Sequence, residues 1–122
     1  MRVEDLEGTL WREGEQIRIE VVSDHKSVYF PGYDLGSQPF IIQRRGRFIL
    51  LRYPGHNSWA GRGDFTYSPS RYLLLEVIEF LGEGECYLTK VICERPYRRE
   101  DASQAKKEIL RLFGEKAGVK DA

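Results

Sequence analysis

The residues of this chain that are best suited to bind a charged or aromatic ligand are concentrated between positions 41 and 72. That stretch contains six arginines, six aromatic residues, no lysine and a single acid, Asp64. Arginine presents a planar fork that pairs with carboxylate or phosphate and stacks on rings, which lysine cannot do. The composition therefore predicts a binding surface for planar anions or ring faces. Its members are Arg44, Arg45, Arg47, Arg52, Arg62 and Arg71 with Phe48, Tyr53, Trp59, Phe65, Tyr67 and Tyr72.

A formal net charge of zero hides a strong segregation of charge along the chain. Residues 1–24 carry three positive and seven negative charges, and residues 73–94 carry one positive and five negative charges. Zero net charge argues against general nucleic-acid binding, because that affinity comes from neutralising phosphates. A local basic patch still keeps nucleic acid as a possible partner. The acidic segments could also pair with the arginines, either within the monomer or across a homodimer.

The candidate site is assigned to the connection at 54–70 and to the arginine just before it. Connections longer than roughly 12–15 residues are usually functional or disordered, and this one is rich in glycine and aromatic residues. Arginine would hold an anion by a bidentate hydrogen bond, the rings would supply stacking faces, and histidine would set a pH dependence. The alternative is an Ω-loop whose aromatic side chains only cap the core. The predicted ligand-binding residues are Arg52, His56, Trp59, Arg62 and Tyr67.

Residues for catalysis are few. His56 and Asp64 could act as a general base and its orienting acid if the connection folds back on itself, so a small enzyme stays an alternative. No serine or cysteine lies in a recognisable nucleophile setting, and no dinucleotide or phosphate-loop motif occurs. The two cysteines lack the spacings of a zinc site. We therefore assign no catalytic residue and expect neither a cofactor nor a metal.

Cys86 and Cys93 are the only cysteines, and they lie seven positions apart in a predicted strand. An odd separation in a strand points two side chains to opposite faces of the sheet. The pattern therefore predicts no local disulfide and favours buried free thiols that behave as small apolar side chains.

The elements that must position these residues are predominantly β-hairpins. In Gln16–Val22 the apolar residues alternate with polar ones, which is the two-residue period of a strand with one buried face. The runs Phe40–Gln43 and Arg47–Tyr53 flank a short segment whose Gly46 suits a tight turn with positive φ. A shorter run, Ser27–Phe30, ends at a Pro-Gly turn.

Leu73–Leu81 fits two structures. Its apolar residues lie on one helical stripe, and Gly82 resembles a helix stop signal. However, a Gly-Glu-Gly-Glu segment joins it to the β-forming run Cys86–Cys93 in the manner of a long hairpin. We favour a strand.

The C-terminal segment predicts a helix over about 101–114. Asp101 and Gln104 have the spacing of a capping box, and Gly114 offers a stop. Between them, apolar residues recur at helical spacing, while the basic residues lie off the stripe. The members of the stripe are Ala105, Ile109, Leu112 and Phe113.

These elements predict a single α+β domain spanning 1–122, with a β-hairpin body at 6–95 and one C-terminal helix. The antiparallel hairpins would form an open sheet or a half-barrel covered by the helix. No apolar run approaches the roughly 20 residues of a membrane-spanning helix, and the N-terminus lacks the apolar core of a signal peptide. We therefore expect no membrane association and a cytoplasmic location.

The favoured function is a non-catalytic binding module that takes a small anionic or aromatic ligand, or a protein partner, on its arginine and aromatic surface. A nucleic-acid-binding β-module is the alternative, since hairpin arginines can contact phosphates while rings stack on unpaired bases. The small enzyme is the third possibility. An open antiparallel sheet has edges that must be covered or paired, so we also expect a homo-oligomer.

Overall fold

A computed structural model describes residues 11–22, 24–32, 38–61, 64–68, 70–82 and 84–118, and for 56–61 and 64–68 it describes the backbone alone. These residues form eight strands, a turn of 3-10 helix at Arg99–Asp101 and one α-helix. The strands are β1 Gln16–Val21, β2 Val28–Tyr29, β3 Phe40–Arg45, β4 Phe48–Tyr53, β5 His56–Gly61, β6 Asp64–Ser68, β7 Arg71–Phe80 and β8 Glu85–Pro96, and the helix is α1 Ala102–Ala117.

Six of the strands form one antiparallel sheet in the order β2-β1-β8-β7-β4-β3, and β5 pairs with β6 in a separate hairpin. The six-stranded sheet curls until its two edges touch. Val28 N donates to the Pro39 carbonyl at 2.9 Å, and Ile41 N donates to the Lys26 carbonyl at 2.7 Å. The predicted α+β class, with a curled half-barrel and one C-terminal helix, is confirmed.

The segment Leu73–Leu81, whose pattern fitted both a helix and a strand, lies in strand β7, as we favoured. It pairs with β4 on one side and with β8 on the other, so it lies in the middle of the sheet. Leu73 and Leu75 pack on one face, and Leu74 packs on the other. A strand that is buried on both faces has a continuous apolar run, and such a run also satisfies the spacing of a helical stripe.

The concave face of the half-barrel is filled by an inner cluster of apolar side chains from β1, β2, β4, β7 and β8. Trp11 and Phe30 close it from outside the strands, with their rings edge to face at 5.3 Å. Burial of this apolar area is the main force that holds the sheet in its curl. The members of the inner cluster are Trp11, Ile17, Ile19, Val21, Val28, Phe30, Ile49, Leu51, Leu73, Leu75 and Val91.

Helix α1 lies on the opposite, convex face and buries a second, outer cluster. The predicted helical stripe supplies three of its buried residues, and β4, β7 and the residue after β8 supply the others. The members of the outer cluster are Leu50, Tyr72, Leu74, Tyr97, Ala105, Ile109 and Phe113. In the described part of the chain no helix is long and apolar enough to cross a membrane.

The ends of α1 differ from the prediction. Asp101 is the N-cap residue, but its side chain makes no cap hydrogen bond to the helix. It accepts from Arg98 N at 2.6 Å instead, because a turn of 3-10 helix precedes α1. Gln104 donates to Glu108 at 3.2 Å. The helix also continues past Gly114 to Ala117 and ends at Gly118, which adopts the left-handed conformation with φ 70°.

A bulge in β8 overturns the prediction that the two cysteines point to opposite faces of the sheet. Leu74 pairs with Cys93 and Leu75 pairs with Val91, so β8 carries one extra residue at this point. The extra residue reverses the alternation of faces, and Cys93 packs in the outer cluster. Cys86 precedes Tyr87, which packs on the inner cluster, so Cys86 points to the convex face as well. Neither cysteine forms a disulfide, both are half-buried, and burial raises the pKa of Cys93.

Candidate functional site

The predicted site residues lie on β4 and on the hairpin that follows it. Arg52 is on β4, His56 and Trp59 are on β5, and Tyr67 is on β6. Arg62 lies outside the described residues, and the side chains of the three hairpin residues lie outside them too. The 54–70 connection is a two-stranded hairpin and not an Ω-loop; the predicted capping of the core by its aromatic side chains lies outside the described residues.

The β5–β6 hairpin leaves the sheet beside Arg52. The Ser70 hydroxyl donates to the Pro54 carbonyl at 2.7 Å and closes the base of the hairpin. Gly55 makes the bend after β4 with φ 89°, a conformation that favours glycine. The hairpin is therefore anchored next to the one predicted site residue whose side chain is described.

Arg52 lies in a groove of about 480 Å³ between α1 and the edge strand β3. The groove lies on the side of α1 that faces β3, because α1 makes its main contacts with β4, β7 and β8. Its floor is Arg52 with the rings of Tyr72 and Tyr97. One wall is Phe40, Ile42 and Gln43 of β3, and the other wall is Ala102, Ser103, Lys106 and Leu110 of α1.

The neighbouring aromatic residues hold Arg52 in a fixed position in the groove. Arg52 Nε donates to the Tyr97 hydroxyl at 2.8 Å. The Tyr97 ring in turn stacks on Tyr72, with centroids 4.9 Å apart and planes 24° apart. The guanidinium carbon also lies 5.8 Å from the centre of the Phe40 ring. These contacts reduce the side-chain entropy that Arg52 would lose on binding a ligand.

The groove is positively charged. In the described part of the chain, no carboxylate lies within 4 Å of a side-chain nitrogen of Arg52 or Lys106. No acid is present among the lining residues. Burial, and then the adjacent Tyr97, raise the pKa of Tyr72.

Three of the other arginines in the predicted binding surface are engaged by acids of the same monomer. Arg44 contacts Glu85 at 3.1 Å and the Tyr87 hydroxyl at 2.8 Å. Arg47 lies 3.6 Å from Glu76. Arg71 pairs with a buried glutamate of β8, Glu94. Predicted pairing within the monomer therefore occurs, although it leaves Arg52 without an acid among the described residues.

Two further residues, Tyr97 and Lys106, complete the site, and the sequence analysis did not assign them to it. Tyr97 follows β8, and Lys106 lies one turn into α1. Lys106 was recognised only as a polar position off the apolar stripe, and no local signal marks Tyr97 as the partner of an arginine 45 positions away. Strand pairing through β7 brings Tyr97 to Arg52, and the crossing of α1 over the sheet adds Lys106.

A carboxylate network near the β1–β2 turn makes stability depend on pH. Hydrogen bonds from Ser27 and Lys26 lower the pKa of Asp24 from 3.8 to about 2. Hydrogen bonds from His25 and Arg44 lower the pKa of Glu85. A lowered folded-state pKa stabilises the protein above the unfolded-state pKa, and that stability is lost as pH falls through the folded-state pKa.

We therefore expect the urea midpoint to fall between about pH 4 and pH 2. The variant Asp24→Asn should be less stable than the wild type at pH 7 and should lose less stability on acidification. Urea titrations at pH 7, 4, 3 and 2 measure both effects. An identical pH dependence in the two proteins would show that Asp24 contributes none of it.

No group of three or more histidine, cysteine, aspartate or glutamate residues that could hold a metal ion is present in the described part of the chain. The chain matches no known family model, and neither the curated proteins nor the solved structures contain a significant match. The function therefore has to be argued from the groove itself.

Proposed function

We propose that this protein is a non-catalytic binding module that takes a small ligand with an anionic group and a planar ring in the groove between α1 and β3. The observation that carries the proposal is Arg52, which is held by Tyr97 and has no acid partner among the described residues. An anion that accepts hydrogen bonds from Arg52 would bind favourably here, because charge-assisted hydrogen bonds are stronger than neutral ones.

The chemistry of the groove supports both parts of the ligand. Arg52 and Lys106 would hold a carboxylate or phosphate from the floor and from the helical wall. Phe40, Ile42 and Leu110 offer apolar surface for a ring. A volume of about 480 Å³ lies in the range of small-molecule sites, which combine apolar walls with a few polar groups.

The β5–β6 hairpin would contribute the remaining predicted residues at the Arg52 end of the groove. In this proposal Trp59 and Tyr67 supply ring faces, Arg62 supplies a second guanidinium, and His56 makes binding depend on pH. The cytoplasmic location and the homo-oligomer stay predictions from the sequence, as does a small enzyme that uses His56 and Asp64.

The proposal is tested by titrating the ¹⁵N-labelled protein with benzoate, phenyl phosphate, adenosine monophosphate and inorganic phosphate, followed by NMR. We expect shifts of groove amides with the ring-bearing anions and weaker shifts with inorganic phosphate. Loss of a hydrogen bond to a charged group costs about 1.5–3 kcal/mol. Arg52→Ala and Lys106→Ala should therefore each weaken binding by roughly 10- to 100-fold.

The matched control is Lys107→Ala, which removes the same charge from the next position of α1, outside the groove. It should leave binding unchanged. Affinity that is equal in wild type and Arg52→Ala would refute the proposal. Labelled single- and double-stranded oligonucleotides, titrated at low and physiological salt, distinguish the alternative: binding that falls steeply with salt would favour a nucleic-acid partner.

A further inference from the structure

A bulge in β3 turns two successive side chains into the groove. Ile41 pairs with Leu51 of β4 and Gln43 pairs with Leu50, so β3 carries one extra residue, Ile42. Ile41 packs on the inner cluster and Ile42 on the outer cluster, and both Ile42 and Gln43 line the groove. With regular alternation, only one of two neighbouring residues would face a ligand. The bulge therefore places apolar surface and an exposed amide side by side.

The helical wall of the groove has a polar end and an apolar end. Ser103, Lys106 and Leu110 follow one another at intervals of three and four residues, so they lie on one face of α1. Arg52 belongs to the polar end, because it is held by Tyr97, which lies just before α1 in the chain. Leu110 lies one helical turn beyond Lys106, which is a rise of roughly 6 Å.

The strand wall has the same order. Phe40 pairs directly with Arg52, and Gln43 follows three positions further along β3. A strand rises by about 3.3 Å per residue, and the bulge shortens this distance. The apolar surface and the amide therefore lie roughly 6–10 Å from the two cations. A ring bonded directly to an anionic group would not reach them, whereas a ring joined to it through a sugar would.

The donors of the polar end favour a phosphate monoester over a carboxylate. Tyr97 accepts from Nε of Arg52, so an anion approaches the guanidinium through its two Nη nitrogens. These two nitrogens suffice for both oxygens of a carboxylate. The Lys106 ammonium and the Ser103 hydroxyl are further donors, which suit the third oxygen of a phosphate. Two cations also match the charge of about −1.5 to −2 that a phosphate monoester carries at pH 7.

We infer that the groove binds a nucleoside monophosphate. The phosphate lies at Arg52 and Lys106, and the ribose spans the distance to the apolar end. The base lies between Ile42 and Leu110. Its polar edge meets the Gln43 amide, which offers a donor and an acceptor side by side, as glutamine does when it pairs with adenine. The inference rests on the proposed function and names the ligand class of the same site.

The inference is tested by NMR titration of the ¹⁵N-labelled protein with the 5′-monophosphates of adenosine, guanosine, cytidine and uridine. Ribose 5-phosphate, which lacks the base, and phenyl phosphate, which lacks the sugar, are titrated beside them, together with benzoate. We expect at least one nucleotide to bind 10-fold or more tightly than ribose 5-phosphate, phenyl phosphate and benzoate.

Two variants separate the two ends of the ligand. Gln43→Ala should raise the dissociation constant of the preferred nucleotide roughly 5- to 100-fold and leave that of ribose 5-phosphate unchanged, because only the nucleotide has a base to pair. Ser103→Ala should raise both dissociation constants roughly 10-fold. Gln104→Ala is the matched control, since it removes the same amide from an exposed position of α1 outside the groove, and it should change neither.

The outcomes distinguish this inference from the proposed function. Phenyl phosphate or benzoate binding as tightly as every nucleotide would overturn the inference and leave the proposed function standing. An equal loss of nucleotide and ribose 5-phosphate affinity in Gln43→Ala would overturn it too, because the residue would then only support the groove. So would tighter binding of a single-stranded oligonucleotide than of every mononucleotide. Binding of none of these anions would refute both.

Discussion

Replacement of Glu94 by glutamine is expected to lower the free energy of unfolding by about 3–5 kcal/mol, as is typical when one partner of a buried ion pair is removed. Glu94 and Arg71 pair with side chains that are 1% and 0% exposed. The second carboxylate oxygen of Glu94 accepts from Trp11 N at 2.8 Å. The neutral variant would remove the negative charge that Glu94 places beside the buried Arg71.

Urea denaturation of wild type and Glu94→Gln at pH 7 measures this effect. The double variant Arg71→Met, Glu94→Gln should recover part of the lost stability, because it removes the uncompensated charge and keeps an acceptor for Trp11 N. Glu108→Gln is the matched control, since it neutralises an exposed partner of the half-buried Arg95 and should change stability little. A loss below about 1 kcal/mol for Glu94→Gln would show that water reaches the Arg71 guanidinium.

Truncation of Phe113 to alanine is expected to cost about 3–5 kcal/mol, the usual range for removing a buried aromatic side chain. Phe113 is 3% exposed and packs in the outer cluster beside Ile109. The cavity would weaken the contact between α1 and the sheet. Because α1 forms one wall of the groove, groove ligands should also bind more weakly to this variant.

Urea denaturation followed by far-ultraviolet circular dichroism measures the loss of stability, and the NMR titration of the proposed ligands measures the effect on the groove. Lys107→Ala serves as the control because it lies on the exposed side of α1. An unchanged urea midpoint for Phe113→Ala would mean that the half-barrel is stable without the helix on its convex face.

The local pattern of the sequence was sufficient to predict whether most elements are strands, turns or helices. Alternation in β1, the glycine of the β3–β4 turn and the apolar stripe of α1 each report on neighbouring residues, and each prediction is confirmed. Gly46 adopts φ 58°, as the turn requires. The strand at β7 was favoured by its hairpin connection to β8, although its own apolar run also satisfied a helix.

Tertiary structure decided the partners of the charged residues. The sequence could not select Glu85 for Arg44, because the two lie 41 positions apart and several other acids compete. The bulge in β8 places both Ile92 and Cys93 in the outer cluster. It thereby turns Glu94 toward Arg71, which strict alternation from Cys86 would not predict.

In the candidate site, too, one residue could be predicted from the sequence, and the others could be identified only from the tertiary structure. Arg52 was predicted from its residue type and from its place before a long connection, which are local properties. Tyr97 joins it because β8 pairs with β7 and Tyr97 N donates to the Ser70 carbonyl. Lys106 joins it because α1 crosses the convex face. Side-chain periodicity determines which face of an element is buried, whereas the contacts between elements depend on register, bulges and crossing, and these are set by packing of the whole chain.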